Sequence, residues 1–203
     1  MKNPWTSVPL SDYEAHMSLE GVAQLQAMDG LMRRQFETHS AAGSVLIFGV
    51  AGGNGLRHAE RFRTVYGVDI NPDYLAACRE RYGQRNFVPV LADVADPACV
   101  LPRADLAVAN LFVEYVGYAA FARALEKVGP RWVSLGIQLN EGEDFVCDSP
   151  YLHAFDGLEA VHVQMEEEPL TETLREAGVR LAGTRRIPLP QRKALLGLDY
   201  ERV

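Results

Sequence analysis

Basic residues are in short supply: 20 Lys and Arg stand against 27 Asp and Glu over 203 residues, a formal net charge of −7 at pH 7. Nucleic-acid binders gain affinity when Lys and Arg displace counterions from phosphates, so this balance argues against a nucleic-acid partner. A local group of Arg185, Arg186, Arg192 and Lys193 is accounted for by alternation along two strands. Cysteine is scarce too. Cys78, Cys99 and Cys147 are odd in number and far apart, which fits neither a disulfide framework nor a zinc site, and no metal is expected. No apolar run approaches the roughly eighteen residues that cross a bilayer. The opening MKNPWTSVPLSDYEAH lacks the apolar stretch and small-residue cleavage site of a secretion signal, so a cytoplasmic location and no membrane partner are expected. Internal repeats, low-complexity tracts and long linkers are also missing, and one domain over residues 1–203 is expected.

What is present is a core-forming composition, 48% hydrophobic and 23% charged. Ser11 and Glu14 read as a capping box. Ser18 reads as the cap of a second helix with Val22, Leu25, Met28, Met32 and Phe36 on one stripe, so residues 12–38 are expected to be largely helical. Past Gly43 the pattern changes. Apolar runs at 45–48, 65–68, 87–91, 105–109 and 132–139 read as strands, with helices after the glycine-rich turn through Arg63, from Pro72 to about Tyr82, and over 117–128. Strands alternating with helices predict a doubly wound, mostly parallel sheet. A helix over 170–177, closed by Gly178, precedes two strands at 179–187 and 193–200. Their connection is too short for a crossover, so they must pair antiparallel. The expected fold is therefore α/β and Rossmann-like, with seven strands, a C-terminal antiparallel hairpin and an N-terminal helical cap. Residues 1–42 form the cap, 43–139 the cofactor-binding core, 140–165 a lid, and 166–203 the last helix and hairpin.

Chemistry concentrates at strand ends. VLIFGVAGGNG turns sharply after Gly49 through Val50, Ala51, Gly52 and Gly53, which lets a ligand approach the backbone and meet free N–H groups at a following helix. Asp69, in VYGVDINP, ends the second strand where a carboxylate can accept ribose hydroxyls, with Ile70 beside it; Asp69 or Asn71 could instead cap the next helix. Asp93, followed by Val94, ends the third strand, where it could accept from an adenine amino group. The dinucleotide fingerprint G-x-G-x-x-G would require glycine at Ala51 and Asn54 and is not met.

With these motifs the sequence resembles the class I S-adenosylmethionine-dependent methyltransferases over about residues 10–200. VLIFGVAGGNG is similar to their first motif, whose turn holds the methionine portion of the cofactor. VYGVDINPDYL resembles the second, with Asp69 on the ribose, and LADVAD places Asp93 at the adenine position. ADLAVANL resembles the fourth motif, with Asn110 beside the reactive centre, and LREAGVRL with the closing hairpin resembles the last helix and seventh strand. The resemblance implies S-adenosylmethionine as cofactor and methyl transfer to an unidentified small molecule. The family usually has an acid two residues before the first glycine; Ile47 stands there.

Methyl transfer from a sulfonium needs alignment and water exclusion more than a dedicated triad. On the acceptor side the candidates are Asn110, Glu114 and Tyr115 after the fourth strand, and His153 in the lid, with Tyr118 and Tyr151 as further wall residues. Asn110 contacts ligand or caps the next helix; Glu114 is a base, an amine-binding carboxylate or merely solvated. Tyr13 and His16 in the cap could reach the cofactor, and His162 is expected on a helix face. The Asn/Asp-Pro-Pro-Tyr signature of base-methylating enzymes is missing. A second reading is a domain of the same fold that holds the cofactor or a partner without turnover. A nicotinamide oxidoreductase rests on fold alone, and a homodimer is compatible with the sequence.

Overall fold

The computed structural model describes residues 3–83, 86–140, 146–147 and 149–203. Seven strands, β1 (Ser44–Phe48), β2 (Thr64–Asp69), β3 (Phe87–Leu91), β4 (Leu106–Asn110), β5 (Trp132–Asn140), β6 (Val179–Leu189) and β7 (Lys193–Arg202), form one sheet in the order β3-β2-β1-β4-β5-β7-β6. The first five are mutually parallel; β7 runs antiparallel to both β5 and β6. The sheet and its closing hairpin are as the sequence predicts. The hairpin turns through Gln191 and Arg192, both left-handed with φ of 55° and 56°, without a glycine.

Period-two alternation divides the core into two layers. Val45 and Ile47 face one side of β1 with Val65, Leu106 and Val108, in a cluster with Met32 and Phe36 of α2 (Gln24–Thr38) and Leu75 and Cys78 of α3 (Pro72–Tyr82). Leu46 and Phe48 face the other side, in a cluster with Phe121, Ala124 and Leu125 of α5 (Tyr118–Val128) and Leu170 and Leu174 of α6 (Glu167–Glu176). Because β1 is central and covered on both faces, residues 45–48 are all apolar and buried. Leu170 and Leu174 are fully buried, each contributing about 2 kcal/mol. Glu167 and Glu168 sit in the first turn of α6, where the helix dipole favours acids.

Four local expectations are corrected. The helix α1 (Leu10–Ser18) starts after Pro9, so Ser11 lies inside it, bonded to Asp12 at 3.3 Å, and Glu14 pairs with Arg81; there is no capping box. Ser18 ends α1, donating to the Ala15 carbonyl, and α2 starts after Ala23 at φ 55°, so Val22 lies buried in the connection. In place of the helix expected after the glycine-rich turn there is one 3₁₀ turn, Leu56–His58. The sheet face that such a helix would cover is taken by α2, whose Phe36 meets Phe62 edge-on at 5.0 Å between centroids. α2 thus packs on the sheet through Met32 and Phe36 while its Gln24 and Gln35 reach toward the strand ends. Lastly, His162 follows a short 3₁₀ turn, Leu158–Ala160, and is not helical. No helix among the described residues is long and apolar enough to cross a membrane.

Candidate functional site

Strand order reverses beside β1, between β2 and β4, and the crevice at the carboxyl ends of these strands is where open α/β sheets bind ligands. A cleft with about 650 Å³ of open space lies there, lined by Gly49 and Ala51 after β1, Asp69 and Ile70 at β2, Asp93 and Val94 after β3, and Asn110 to Phe112 after β4. Gly49, Ala51 and Leu111 all take left-handed backbone, at φ of 64°, 46° and 52°, which turns the chain away sharply and leaves the crevice open. A Cβ at Gly49 would sit 2.8 Å from the Phe112 ring. Gly49→Ala is therefore expected to cost about 1–2 kcal/mol from backbone handedness alone. At about 2–4 °C per kcal/mol for a chain of this size, a drop in melting temperature of several degrees checks it.

Asp69 is 8% exposed. One of its oxygens accepts from Ala51 N at 3.0 Å, the other from Asn71 N at 2.9 Å. Burial raises its pKa, against the lowering pull of backbone N–H groups of Asn71, Ala51 and Ile70. A carboxylate offers about four lone-pair sites, so it retains acceptor capacity toward the cleft after fixing the turn. Asn71 is the cap of α3, its side chain accepting from Asp73 N. Asp93 is exposed and accepts from Ala95 N at 2.9 Å.

The roof is the N-terminal segment. Asn71 Nδ2 donates to the Trp5 carbonyl at 3.0 Å and the Tyr74 hydroxyl to the Val8 carbonyl at 2.9 Å, seating residues 5–8 on the start of α3. Arg81 of α3 clasps Glu14 of α1 and the Gly52 carbonyl, tying roof to turn. Trp5 and Tyr13 line the cleft from above, their rings edge-on at 5.9 Å. Burial, foremost, then Asp69 and Glu14, keep the Tyr13 hydroxyl protonated.

Behind this roof a second chamber opens, with about 530 Å³ of space, sharing Trp5, Tyr13, Leu111 and Tyr115 with the cleft. Its own wall includes His16, Gln24, Glu114, Gln138, Phe155 and His162. Glu114, on the short helix α4 (Val113–Val116), is 3% exposed. Its Oε1 accepts from Gln138 N at 2.9 Å, while Oε2 is buried without a hydrogen-bond partner. Burial pushes its pKa up to about 7, despite backbone N–H groups of Glu114 itself and Gln138. Gln24 donates to the Gln138 side chain, which donates on to Asn140. His16 is bonded to Ser149 at 2.8 Å, and burial first, then Lys193, lower the pKa of both His16 and His162.

The expected site residues therefore fall into three groups. Tyr13, Gly49, Ala51, Asp69, Ile70, Asp93, Val94 and Asn110 line the cleft. The Asn110 amide is committed to a reciprocal pair with Gln35, both bonds at 2.9 Å, so it presents its remaining surface rather than a free amide. Glu114 and His16 meet in the second chamber, with Tyr115 on the shared wall. Val50, Gly52 and Gly53 support the turn from behind: Val50 N bonds the Val68 carbonyl, a Cβ on Gly52 would strike Glu14 and Arg81, and one on Gly53 would strike Tyr82 and Cys78. His153 stands apart, its side chain 94% exposed and 3.4 Å from Asp156, and it lines neither space. Tyr151 packs with Val8 and Phe155, and Tyr118 accepts from Glu166 N. In the expected lid, residues 141–145 and 148 lie outside the described residues. Trp5, Gln24 and Gln138 were not expected at the site. Among the described residues no group of His, Cys, Asp and Glu is arranged to hold a metal ion.

A family model for a methyltransferase domain matches residues 46–129. No curated protein matches the chain in sequence. Among solved structures, magnesium protoporphyrin IX methyltransferase from Synechocystis, with bound S-adenosylhomocysteine, is 12% identical at a TM-score of 0.73, over 98% of this chain and 96% of that one. The N-methyltransferase NodS from Bradyrhizobium japonicum, in complex with S-adenosylhomocysteine, is 13% identical at a TM-score of 0.69, over 99% of each chain. An S-adenosylmethionine-dependent methyltransferase from Clostridium acetobutylicum is 10% identical at 0.65, over 96% of this chain and 99% of that one. The sheet order, the reversed seventh strand and the matched domain together give this chain the fold of the class I S-adenosylmethionine-dependent methyltransferases, with no specificity assigned.

Proposed function

We propose that the chain binds S-adenosylmethionine across the strand ends and transfers its methyl group to a small molecule held in the second chamber. One observation carries the reading: a cleft floored by the buried Asp69 is flanked, across the shared wall of Trp5, Tyr13, Leu111 and Tyr115, by a second chamber. The residues present suit an adenosyl sulfonium. Asp69 can accept from the ribose hydroxyls, the open turn at Gly49 and Ala51 admits the amino-acid tail, and Asp93 with Val94 can bracket the adenine. The indole N–H of Trp5, buried without a partner, is a donor awaiting an acceptor at the junction. Solved relatives of the same fold hold S-adenosylmethionine or its demethylated product, which supports this choice of cofactor.

The bound cofactor supplies an activated methyl group. This chain's residues supply position and dryness: the aromatic wall excludes water and sets the line of approach, which is most of what an in-line displacement asks of a protein. Asn110 and Tyr115 are positioning residues in this reading, and Glu114, His16 and His162 are the groups on the chamber wall able to take a proton. Ile47 favours a second reading, in which the domain holds the cofactor without turnover. The position usually acidic in this family is here 2% exposed, inside the cluster that contains Met32 and Phe36, so it cannot reach the cofactor's amino end.

Calorimetric titration with S-adenosylhomocysteine tests the shared half of both readings, and an absence of heat at millimolar ligand would sink them. Labelled methyl transfer to a metabolite extract, lost in Asp69→Ala, separates turnover from mere holding.

A further inference from the structure

The second chamber has a chemical character that narrows its occupant. Its polar groups are largely satisfied among themselves: Gln24 with Gln138, Gln138 with Asn140, His16 with Ser149. Two buried polar atoms are not. Oε2 of Glu114 lacks a donor, and Nε1 of Trp5, on the wall shared with the cleft, lacks an acceptor. An unsatisfied buried polar atom is costly and is often completed by a ligand. The rest of the wall is flat or apolar, with Trp5, Tyr13, Tyr115 and Phe155 presenting ring surfaces and Met17 and Leu158 closing the space. No Arg or Lys lines it among the described residues, so it offers no guanidinium or ammonium to pair with a phosphate or carboxylate. A cationic amine can donate to Oε2 of Glu114 but has no lone pair for the Trp5 N–H, so it leaves that second orphan uncompensated. What remains is a small, uncharged, planar molecule carrying a group that donates to a carboxylate.

Resting on the function proposed above, we infer that the acceptor is an aromatic alcohol of the phenol class, with its hydroxyl hydrogen-bonded to Oε2 of Glu114. A hydroxyl fits better than a ring N–H because its oxygen, while donating to Glu114, keeps lone pairs for attack and for a neighbouring donor such as Trp5. In the transfer, an oxygen lone pair forms the new C–O bond to the methyl carbon as the C–S bond breaks, its electron pair remaining on sulfur. The hydroxyl proton passes to Oε2 of Glu114, so the products are an aryl methyl ether, a neutral thioether and a protonated Glu114. That carboxyl's elevated pKa makes it a competent proton acceptor near neutral pH.

The test uses the full chain loaded with S-adenosylhomocysteine, titrated with phenol, 4-nitrophenol, benzoate and benzylamine, following protein fluorescence and the nitrophenol absorbance. The phenols are expected to bind at least tenfold more tightly than benzoate or benzylamine. Glu114→Gln is expected to lower kcat for labelled methyl transfer to phenol, whose hydroxyl stays protonated near neutral pH, about a hundredfold or more, the usual worth of a positioned base, with KM changed less than tenfold. Glu114→Asp, which keeps a carboxylate one methylene shorter, is expected to recover part of the loss, and serves if the glutamine variant fails to fold. Cofactor binding with no preference for phenols, or preference for benzylamine, would overturn this assignment while leaving the proposed function standing. So would a Glu114→Gln kcat within threefold of wild type. No binding of S-adenosylhomocysteine at all would overturn both.

Discussion

Asp69→Ala is expected to weaken S-adenosylhomocysteine binding by about a hundredfold or more in a calorimetric titration. Each hydrogen bond to a charged acceptor is worth about 1.5–3 kcal/mol, and two ribose hydroxyls share this carboxylate in the proposed pose. The lower end of their sum, about 3 kcal/mol, already corresponds to roughly a hundredfold in Kd. The alanine variant also frees Ala51 N and Asn71 N, which Asp69 holds at 3.0 and 2.9 Å, so some of its loss comes from a loosened turn. Asp69→Asn separates the two contributions, because an amide oxygen can still accept from one of those N–H groups while the charge is gone. It should retain most of the fold's stability and lose ten- to a hundredfold in affinity, about 1.4 kcal/mol per tenfold. If Asp69→Ala binds within threefold of wild type, ribose recognition lies elsewhere and the proposed pose is wrong.

The second large effect belongs to Glu114 and is read in stability rather than binding. Its pKa is pushed from 4.5 up to about 7 by burial. A folded-state value above the unfolded one means the folded protein holds a proton that the unfolded chain releases earlier. The associated stability is fully present below pH 4.5 and is lost as pH rises through about 7. A gap of this size corresponds to about 3 kcal/mol, or roughly 6–12 °C in melting temperature for a chain of this length. His16 and His162 act in the opposite sense: their lowered values cost stability as pH falls below 6.5. Comparing wild type with Glu114→Gln across pH 5 to 8 cancels the histidines. The wild-type curve should fall from pH 5 to about 7 relative to the variant and run level with it above that. The unpartnered amide of the variant adds an offset that does not change with pH. Parallel curves would mean that Glu114 ionises in the folded chain as freely as in water.

How far the sequence foretold this molecule can be followed residue by residue. Residues 45–48 announce a central parallel strand because both faces of β1 are covered, so no polar position interrupts them. Asp69 and Asp93 were legible because a lone acid after an apolar run marks a strand end facing the crevice. The stretch NGLRHAERFR looks helical from its composition, yet Ala59 and Phe62 are buried in the cluster containing Phe36 of α2, and that packing overrides local propensity. Trp5 carries no periodic signal in the sequence; only its three-dimensional seat on Asn71, beside the Tyr74 bond to Val8, gives it a role. Gln24 and Gln138 meet across 114 positions, and neutral amides have no spacing rule. His153 was chosen for its chemical type, which is silent on exposure; the histidines that reach the chamber are His16 and His162.

The roof built from the first residues has a practical side for anyone producing this protein. Asn3 lies on the rim of the cleft, so an affinity handle fused ahead of it would begin within reach of the ligand and could compete with it. The other terminus is a safer place. Val203 is 91% exposed, and it follows β7, whose end pairs with the beginning of β5 at Trp132 and Glu201, on the opposite rim of the sheet from the crevice. A handle placed there leaves the aromatic roof untouched, and binding constants measured on such material report the protein rather than its label.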